Sequence, residues 1–490
     1  MRSTHHSFVK NILLSFVLLF VSTAHATNGM FQIGFGHKSK SMGGTAVAQA
    51  LDSLAAGANP AAMVHVGNRY DIGVELFVPK RSTILENMAQ SGAMGGAPGT
   101  SGTWDSRHNT FPVPNMGFNV MLSDRLSFGA SVIGAGMGTA YSSNFFDVGP
   151  SNTDENPTLG IELFQMQMLP TLAYKYNDTH SFGVSPIIAM QRFSARGLGE
   201  FNDFFFSKYS ANMTDRGQDW AFGGGIKLGW QGRFLNNKDL TLGATWNSKV
   251  YMERFRKYQG LMAEGGQLDI PEHYAIGVAY NVNKKFMATV DVQRILYSEV
   301  PAIGNRHPSN NCWTAEDDFG QCSLASPLGE DRLGGETGLG FGWQDQTIYK
   351  LGFAFKANSK WTYRFGLNYG KSPIPDDQIL FNTIAPGVVE EHVTLGFSYT
   401  PDKDTEINFM FMHALENRQE CRANTSPASL DGAGNTGARI AYLTANPGCR
   451  TYLTAPQADV ANNGTRVSAS VAAEMVQYSM GVSYSKKFNW

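Results

Sequence analysis

Few residues in this chain stand where covalent chemistry would need them. The sequence has 490 residues with 11 His and 4 Cys. His392 and His413 fall on runs of alternating apolar and polar residues, and neither has a serine or carboxylate at a spacing that would make a nucleophile–base pair. Both read as structural. Neither G-x-S-x-G nor H-E-x-x-H occurs. Asp317-Asp318 and Asp376-Asp377 are carboxylate pairs in polar loops, where solvation is the ordinary role and calcium the sharper alternative. Cys312, Cys322, Cys421 and Cys449 match no zinc spacing and form no C-x-x-C. Catalysis, a cofactor and a metal are therefore not expected.

Composition excludes further classes. The net charge is -2, with no clustered basic excess for phosphate binding, so nucleic acid is not an expected partner. The chain carries 53 Gly, 32 Phe and 18 Tyr but only 16% charged residues, an unusual balance for a soluble globular domain. Residues 1–26 have the form of a signal peptide. Arg2, His5, His6 and Lys10 precede a short apolar core, and Ala24-His25-Ala26 is an A-x-A cleavage site. After it no apolar run reaches eighteen residues, so no transmembrane helix is expected. Four cysteines in an exported chain suggest disulfides. Three pairings are open, and nearness favours Cys312–Cys322 and Cys421–Cys449.

The elements that would position any site are strands. Successive side chains of a strand point to opposite faces, so a half-buried strand alternates. Residues 361–370 place Trp361, Tyr363, Phe365, Leu367 and Tyr369 on one face, against Thr362, Arg364, Gly366, Asn368 and Gly370. About fourteen such segments run from 69–81, 108–121 and 125–138 to 404–415 and 474–490. Short polar turns such as 123–125, 177–180 and 357–360 alternate with long connections such as 196–217, 298–344 and 416–473. That sorting predicts an all-β transmembrane antiparallel barrel, closed because no strand edge is tolerated in lipid. Short turns then face the periplasm and long loops face outward. Aromatics at strand ends and the terminal Trp490 agree with this reading. The expected location is the outer membrane of a Gram-negative cell. Membrane lipid, lipopolysaccharide and the barrel assembly machinery are the expected partners, and a monomer the expected state.

Three features bear on the lumen. The inward face carries Lys227, Lys350, Arg364, Asp219 and Asp291, which suit either a salt-bridge network or the head of an anionic ligand. Residues 134–138 read GAGMG, so Gly134, Gly136 and Gly138 mark either a kink in the third strand or its ordinary end. Residues 201–206 read FNDFFF, and Phe201, Phe204, Phe205 and Phe206 in an outer loop suggest binding of something apolar.

The chain resembles the FadL family of outer-membrane transporters, from Thr27 to Trp490. The likeness rests on the glycine-rich start with Asn59-Pro60-Ala61, VPNMGF at 113–118, LSFGAS at 126–131 followed by GAGMG, and DWAFGGGIKLGW at 219–230. LDIPEHYAIGVAY at 268–280, KWTYRFGLNYGKSPIP at 360–375 and FMFMHA at 409–414 extend it. The resemblance implies an N-terminal hatch over 27–67, containing Asn59, Pro60 and Ala61, inside a barrel over 68–490. It implies passive uptake of a hydrophobic small molecule, foremost long-chain fatty acids, with capture near 196–217 and 250–270. Release would be lateral, at the third-strand kink. Aromatic hydrocarbons, or a general porin, are the alternatives. Arg192 and Arg196 are the basic candidates for a fatty acid carboxylate. Strand parity, however, puts both on the side of Phe182, Val184 and Ile188, facing lipid unless a bulge turns them.

Overall fold

The structure, a computed structural model, describes residues 28–90, 97–145, 158–202, 207–235, 239–306, 330, 332–424 and 468–489. The signal peptide, Asp317-Asp318, Phe204, Phe205, Phe206, Cys312, Cys322, Cys449 and Trp490 lie outside those residues.

Fourteen antiparallel strands form the wall. They are β1 (Arg69–Gln90), β2 (Phe111–Ser123), β3 (Leu126–Gly138), β4 (Gly160–Lys175), β5 (His180–Arg196), β6 (Asp219–Phe234) and β7 (Leu240–Asn247). Then come β8 (His273–Asn281), β9 (Phe286–Ile295), β10 (Gln346–Lys356), β11 (Trp361–Gly370), β12 (Glu391–Tyr399), β13 (Thr405–Asn424) and β14 (Ser468–Lys487). Each pairs with the next, and β1 pairs with β14 from Arg69↔Lys487 to Glu86↔Ser470, which closes the barrel. Closure leaves no lipid-facing edge with unpaired N–H and C=O groups.

Side-chain alternation follows the expectation. On β11, Tyr363, Phe365, Leu367 and Tyr369 are exposed on the outer surface, while Gly366, Asn368 and Gly370 are buried inside. Three of the short turns are built the same way. Asn177, Asn283 and Asn358 each accept two backbone N–H bonds at 2.7–3.0 Å through Oδ1, from residues two and three positions on. This Asx geometry satisfies the turn without a longer loop. Aromatic rings gather at that end of the barrel, as in the Trp361–Tyr399 pair, 4.8 Å between centroids. Interfacial rings of this kind are common where strands leave the hydrocarbon.

At the opposite end the wall is taller than expected. β1, β13 and β14 run to 22, 20 and 20 residues, about twice what a bilayer crossing requires. A further strand, Ala97–Asp105, pairs with the upper part of β1, and the two-residue strand Tyr251–Met252 pairs with β6.

The ladder between β2 and β3 is incomplete. β3 pairs with β4 over its whole length, from Leu126↔Tyr174 to Gly138↔Glu162. Its pairing with β2 stops at Met116↔Val132. Phe111–Asn115 of β2 remain bonded to β1. Ile133–Gly138 therefore have a neighbour on one side only, and the wall parts there.

Candidate functional site

The lumen is occupied by the chain's own N-terminal segment. From Asn28 to Val66 most residues are buried, against inward-facing wall residues. The segment is irregular, with short turns at His37–Lys40, Ala55–Gly57 and Pro60–His65. Asn59 caps the last of these: its Oδ1 accepts from Ala61 N–H at 3.0 Å, and Pro60 supplies the first helical position, where a missing N–H costs nothing. Its Nδ2 donates to Val47 O at 2.8 Å and Trp230 O at 2.9 Å. Asn59 is thus fixed to β6, away from Gly134–Gly138.

Wall glycines make this fit possible. Gly183↔Gly229, Gly243↔Gly277 and Gly352↔Gly366 are directly paired across strands. A Cβ on any of the six would strike the N-terminal segment, as at Gly352, where it would meet Thr45 Oγ1 at 2.5 Å and Met42 Cβ at 2.7 Å. Three inward charges also hold the segment, by its backbone. Asp291 accepts from Ala46 and Val47 N–H at 2.8 and 3.0 Å. Lys350 donates to Ile33 O at 2.8 Å, and Lys227 to Gly57 O. These three charges grip the segment, where sequence reasoning offered a wall network or a ligand head.

Within the segment, burial shifts two groups. The His37 imidazole is pushed down to about 4, mainly by desolvation, with Lys40 adding to it and Glu75 opposing. The Asp52 carboxyl is pushed up to about 6 by desolvation and then by the nearby Asp71 carboxylate.

The parted wall lies beside a small chamber of mixed polar and apolar lining. Phe31, Gln32 and Phe35 of the segment face Ile133, Gly134 and Ala135 across it, with His273 and Asn247 on another side. Gln32 Nε2 donates to Gly134 O, a carbonyl that β2 leaves unpaired. Gly136 has φ +152°, a value that favours glycine. Gly138 O accepts from Arg81, whose side chain is buried and whose Nη2 has no partner among the described residues.

Further outward lies an apolar recess bounding about 570 Å³, part of it open to solvent. β4 and β5 supply Ile161 and Phe193, and outer connections supply Met213, Met262, Leu339 and Phe381 among others. Phe201 also lines it, its ring 5.8 Å from that of Phe381. Among the described residues, no charged side chain lines the recess. Ile161 also marks where it abuts the parted wall, since Thr139 N–H, just past β3, donates to Ile161 O at 2.8 Å.

The basic candidates fall elsewhere. β4 and β5 keep unbroken register from Gly160↔Arg196 to Met168↔Ile188, so no bulge reverses parity. Arg192 points outward, 2.5 Å from Glu162 and within 5.8 Å of the Phe164 and Trp220 rings. Arg196 is exposed. Neither reaches the lumen, because alternation along a straight strand fixes the face. Cys421, on β13, is disulfide-bonded. Arg81 and Gln32 went unnoticed in the sequence, as did most of the recess. Their one sequence signal is an apolar run such as Ile379-Leu380-Phe381 inside an otherwise polar connection.

A family model described as "Outer membrane protein transport protein (OMPP1/FadL/TodX)" matches residues 21–446. Among solved structures, the toluene transporter TodX of P. putida is similar, at 17% identity and a TM-score of 0.58, covering 94% of this chain and 99% of that one. The Ralstonia pickettii toluene transporter TbuX gives 15% identity and 0.58, covering 93% and 99%. A Pseudomonas aeruginosa FadL homologue gives 13% and 0.56, covering 94% and 100%. At these identities the likeness shows a shared fold. No curated protein matches.

Proposed function

This chain belongs to the outer membrane protein transport family of OMPP1, FadL and TodX, and on that premise we propose that it is a passive channel taking hydrophobic molecules through the outer membrane of a Gram-negative cell. The observation that carries the reading is the apolar recess abutting the place where the β2–β3 ladder stops. A substrate captured among the outer connections passes inward along Ile161 and leaves sideways between β2 and β3 into lipid. The N-terminal segment is the hatch that blocks the straight route to the periplasm. Lateral exit suits an apolar cargo, because each CH₂ kept out of water is worth about 0.8 kcal/mol.

Long-chain fatty acids are the foremost substrate in this reading. Arg81 takes the role first sought in Arg192 and Arg196: it is buried, faces the lumen at the top of the gap, and its Nη2 has no partner among the described residues. Aromatic hydrocarbons are the second reading, favoured by the apolar lining of the recess among the described residues. Arg81→Met separates the two. With purified protein in liposomes, it should weaken binding and uptake of a C16 fatty acid about tenfold, as loss of a charge-assisted hydrogen bond implies, and leave toluene uptake unchanged. Protein that carries neither compound above empty liposomes would refute the channel itself.

A further inference from the structure

We infer that the N-terminal segment has a second task, independent of transport: it staples the seam at which the barrel closes. Thirteen of the fourteen wall contacts join strands adjacent in sequence. The last joins β1 to β14, across nearly the whole chain, so it carries the greatest loop-closure cost. Something that holds both strands at once would offset that cost.

The His37–Lys40 turn lies on that seam. The His37 ring rests where two glycines leave room on either side of it. A Cβ on Gly73 of β1 would meet His37 Cε1 at 2.7 Å, and one on Gly481 of β14 would meet His37 Cδ2 at 2.5 Å. His37 Nε2 lies 3.2 Å from Val74 O of β1. Lys40 pairs with Glu75 of β1, and Glu75 in turn accepts from Ser479 Oγ of β14, so one chain of bonds crosses the seam. Both side chains of the Lys40–Glu75 pair are about 5% exposed or less. Lys38 reaches past β14 to Glu406 of β13 at 2.5 Å. Ser53 adds two bonds to Asp71 of β1, at 2.8 and 2.6 Å.

The staple is therefore specific. Residues 37–40 engage β13, β14 and β1, the strands flanking the closure, through the Lys38–Glu406 and Lys40–Glu75 pairs and the His37 ring between Gly73 and Gly481. A hatch needed only to block the lumen has no reason to concentrate its buried ion pairs there. The segment immediately precedes β1 in sequence, so it is available from the start to hold β1 until β14 arrives.

Engineered disulfides read the closure directly. Val74 and Val482 are register partners across the seam, and Val278 and Val290 across β8 and β9. Each pair, changed to cysteine in an otherwise cysteine-free full-length chain, reports its own contact during outer-membrane assembly. Lys40→Glu and Glu75→Lys should each lower the seam cross-link about tenfold, because one buried charge is then left unpaired against another of its own sign. Cross-linking at Val278–Val290 should hold, and the Lys40→Glu/Glu75→Lys double variant should recover the seam. The inference is overturned if the single variants cross-link the seam as the parent does, if both pairs fall together, or if the charge swap fails to restore closure. Uptake is not measured, so the transport reading stands or falls separately.

Discussion

Asn59 is accommodated by the absence of a side chain at Gly229. A Cβ there would lie 2.7 Å from Pro60 Cδ and overlap Asn59 Oδ1. Asn59 in turn donates to the carbonyl of Trp230, the next residue along β6. The two positions are a lock and its recess, 170 residues apart in sequence.

Two substitutions test that lock. Asn59→Ala removes the bonds to the carbonyls of Val47 and Trp230 and the cap on Ala61 N–H, which should cost about 2–3 kcal/mol. Gly229→Ala should displace the Asn59–Pro60 turn from the wall. In planar bilayers both variants should pass ions at several times the parent's conductance. Parent-like conductance from both would show that the segment does not seal the lumen.

The gap between β2 and β3 can be sewn shut. If the ladder continued past Met116↔Val132, Asn115 would face Ile133. A disulfide from Asn115→Cys and Ile133→Cys should join the strands, abolish uptake of hydrophobic substrate, and release it on addition of reductant. Ligand binding in the recess should persist in both states, since the recess lies further out. Equal uptake by the oxidised and reduced forms would place the exit elsewhere.

How much of this was legible beforehand depends on whether a residue's neighbours are local. The alternation of β11 or β8 reveals itself because one face meets lipid and the other does not. The upper half of β1, Ser82-Thr83-Ile84-Leu85-Glu86, carries no such contrast, because that part of the strand stands beyond the bilayer and packs on both sides. The alternation therefore marks a first strand over 69–81 only, and gives no sign of its extension or of the partner strand Ala97–Asp105. The glycine run Gly134–Gly138 is visible, and it offers either a kink or an ordinary strand end. That β3 parts from β2 past Val132 while it stays paired with β4 depends on pairing that no single strand encodes. The wall glycines pose the same difficulty: in sequence Gly229 and Gly366 are glycines on a strand, a position that weakens pairing, and their purpose lies in Asn59 and Gly43, far away in the chain. Arg192 was the opposite situation, since simple parity already pointed it to lipid and the unbroken register with β4 keeps it there.

The recess should reject charge. Phe201 packs against Phe381 at its mouth. Phe201→Asp places a carboxylate where an apolar chain would lie, and should weaken binding of a C16 fatty acid or of toluene at least tenfold by titration calorimetry in detergent. The substitution lies in an outer connection, so the heat-modifiable mobility of the folded barrel should match the parent. Unchanged affinity would mean that substrate bypasses this recess.

Stability should also respond to pH through Asp52. Its carboxyl is pushed from 3.8 up to about 6 by burial first and by Asp71 second, with Lys38 and Arg69 opposing. A group whose pKa is higher folded than unfolded favours the fold while protonated, and that contribution disappears as pH rises through about 6. Asp52→Asn stays neutral and keeps an oxygen for Leu54 N–H, which Asp52 Oδ1 now caps at 3.0 Å. The variant should therefore exceed the parent in unfolding free energy at pH 8 by roughly 1–3 kcal/mol, and the two should converge near pH 4. A difference that holds constant from pH 4 to 8 in urea-unfolding experiments would show that Asp52 pays no ionisation cost in the lumen, and that Lys38 and Arg69 neutralise it fully.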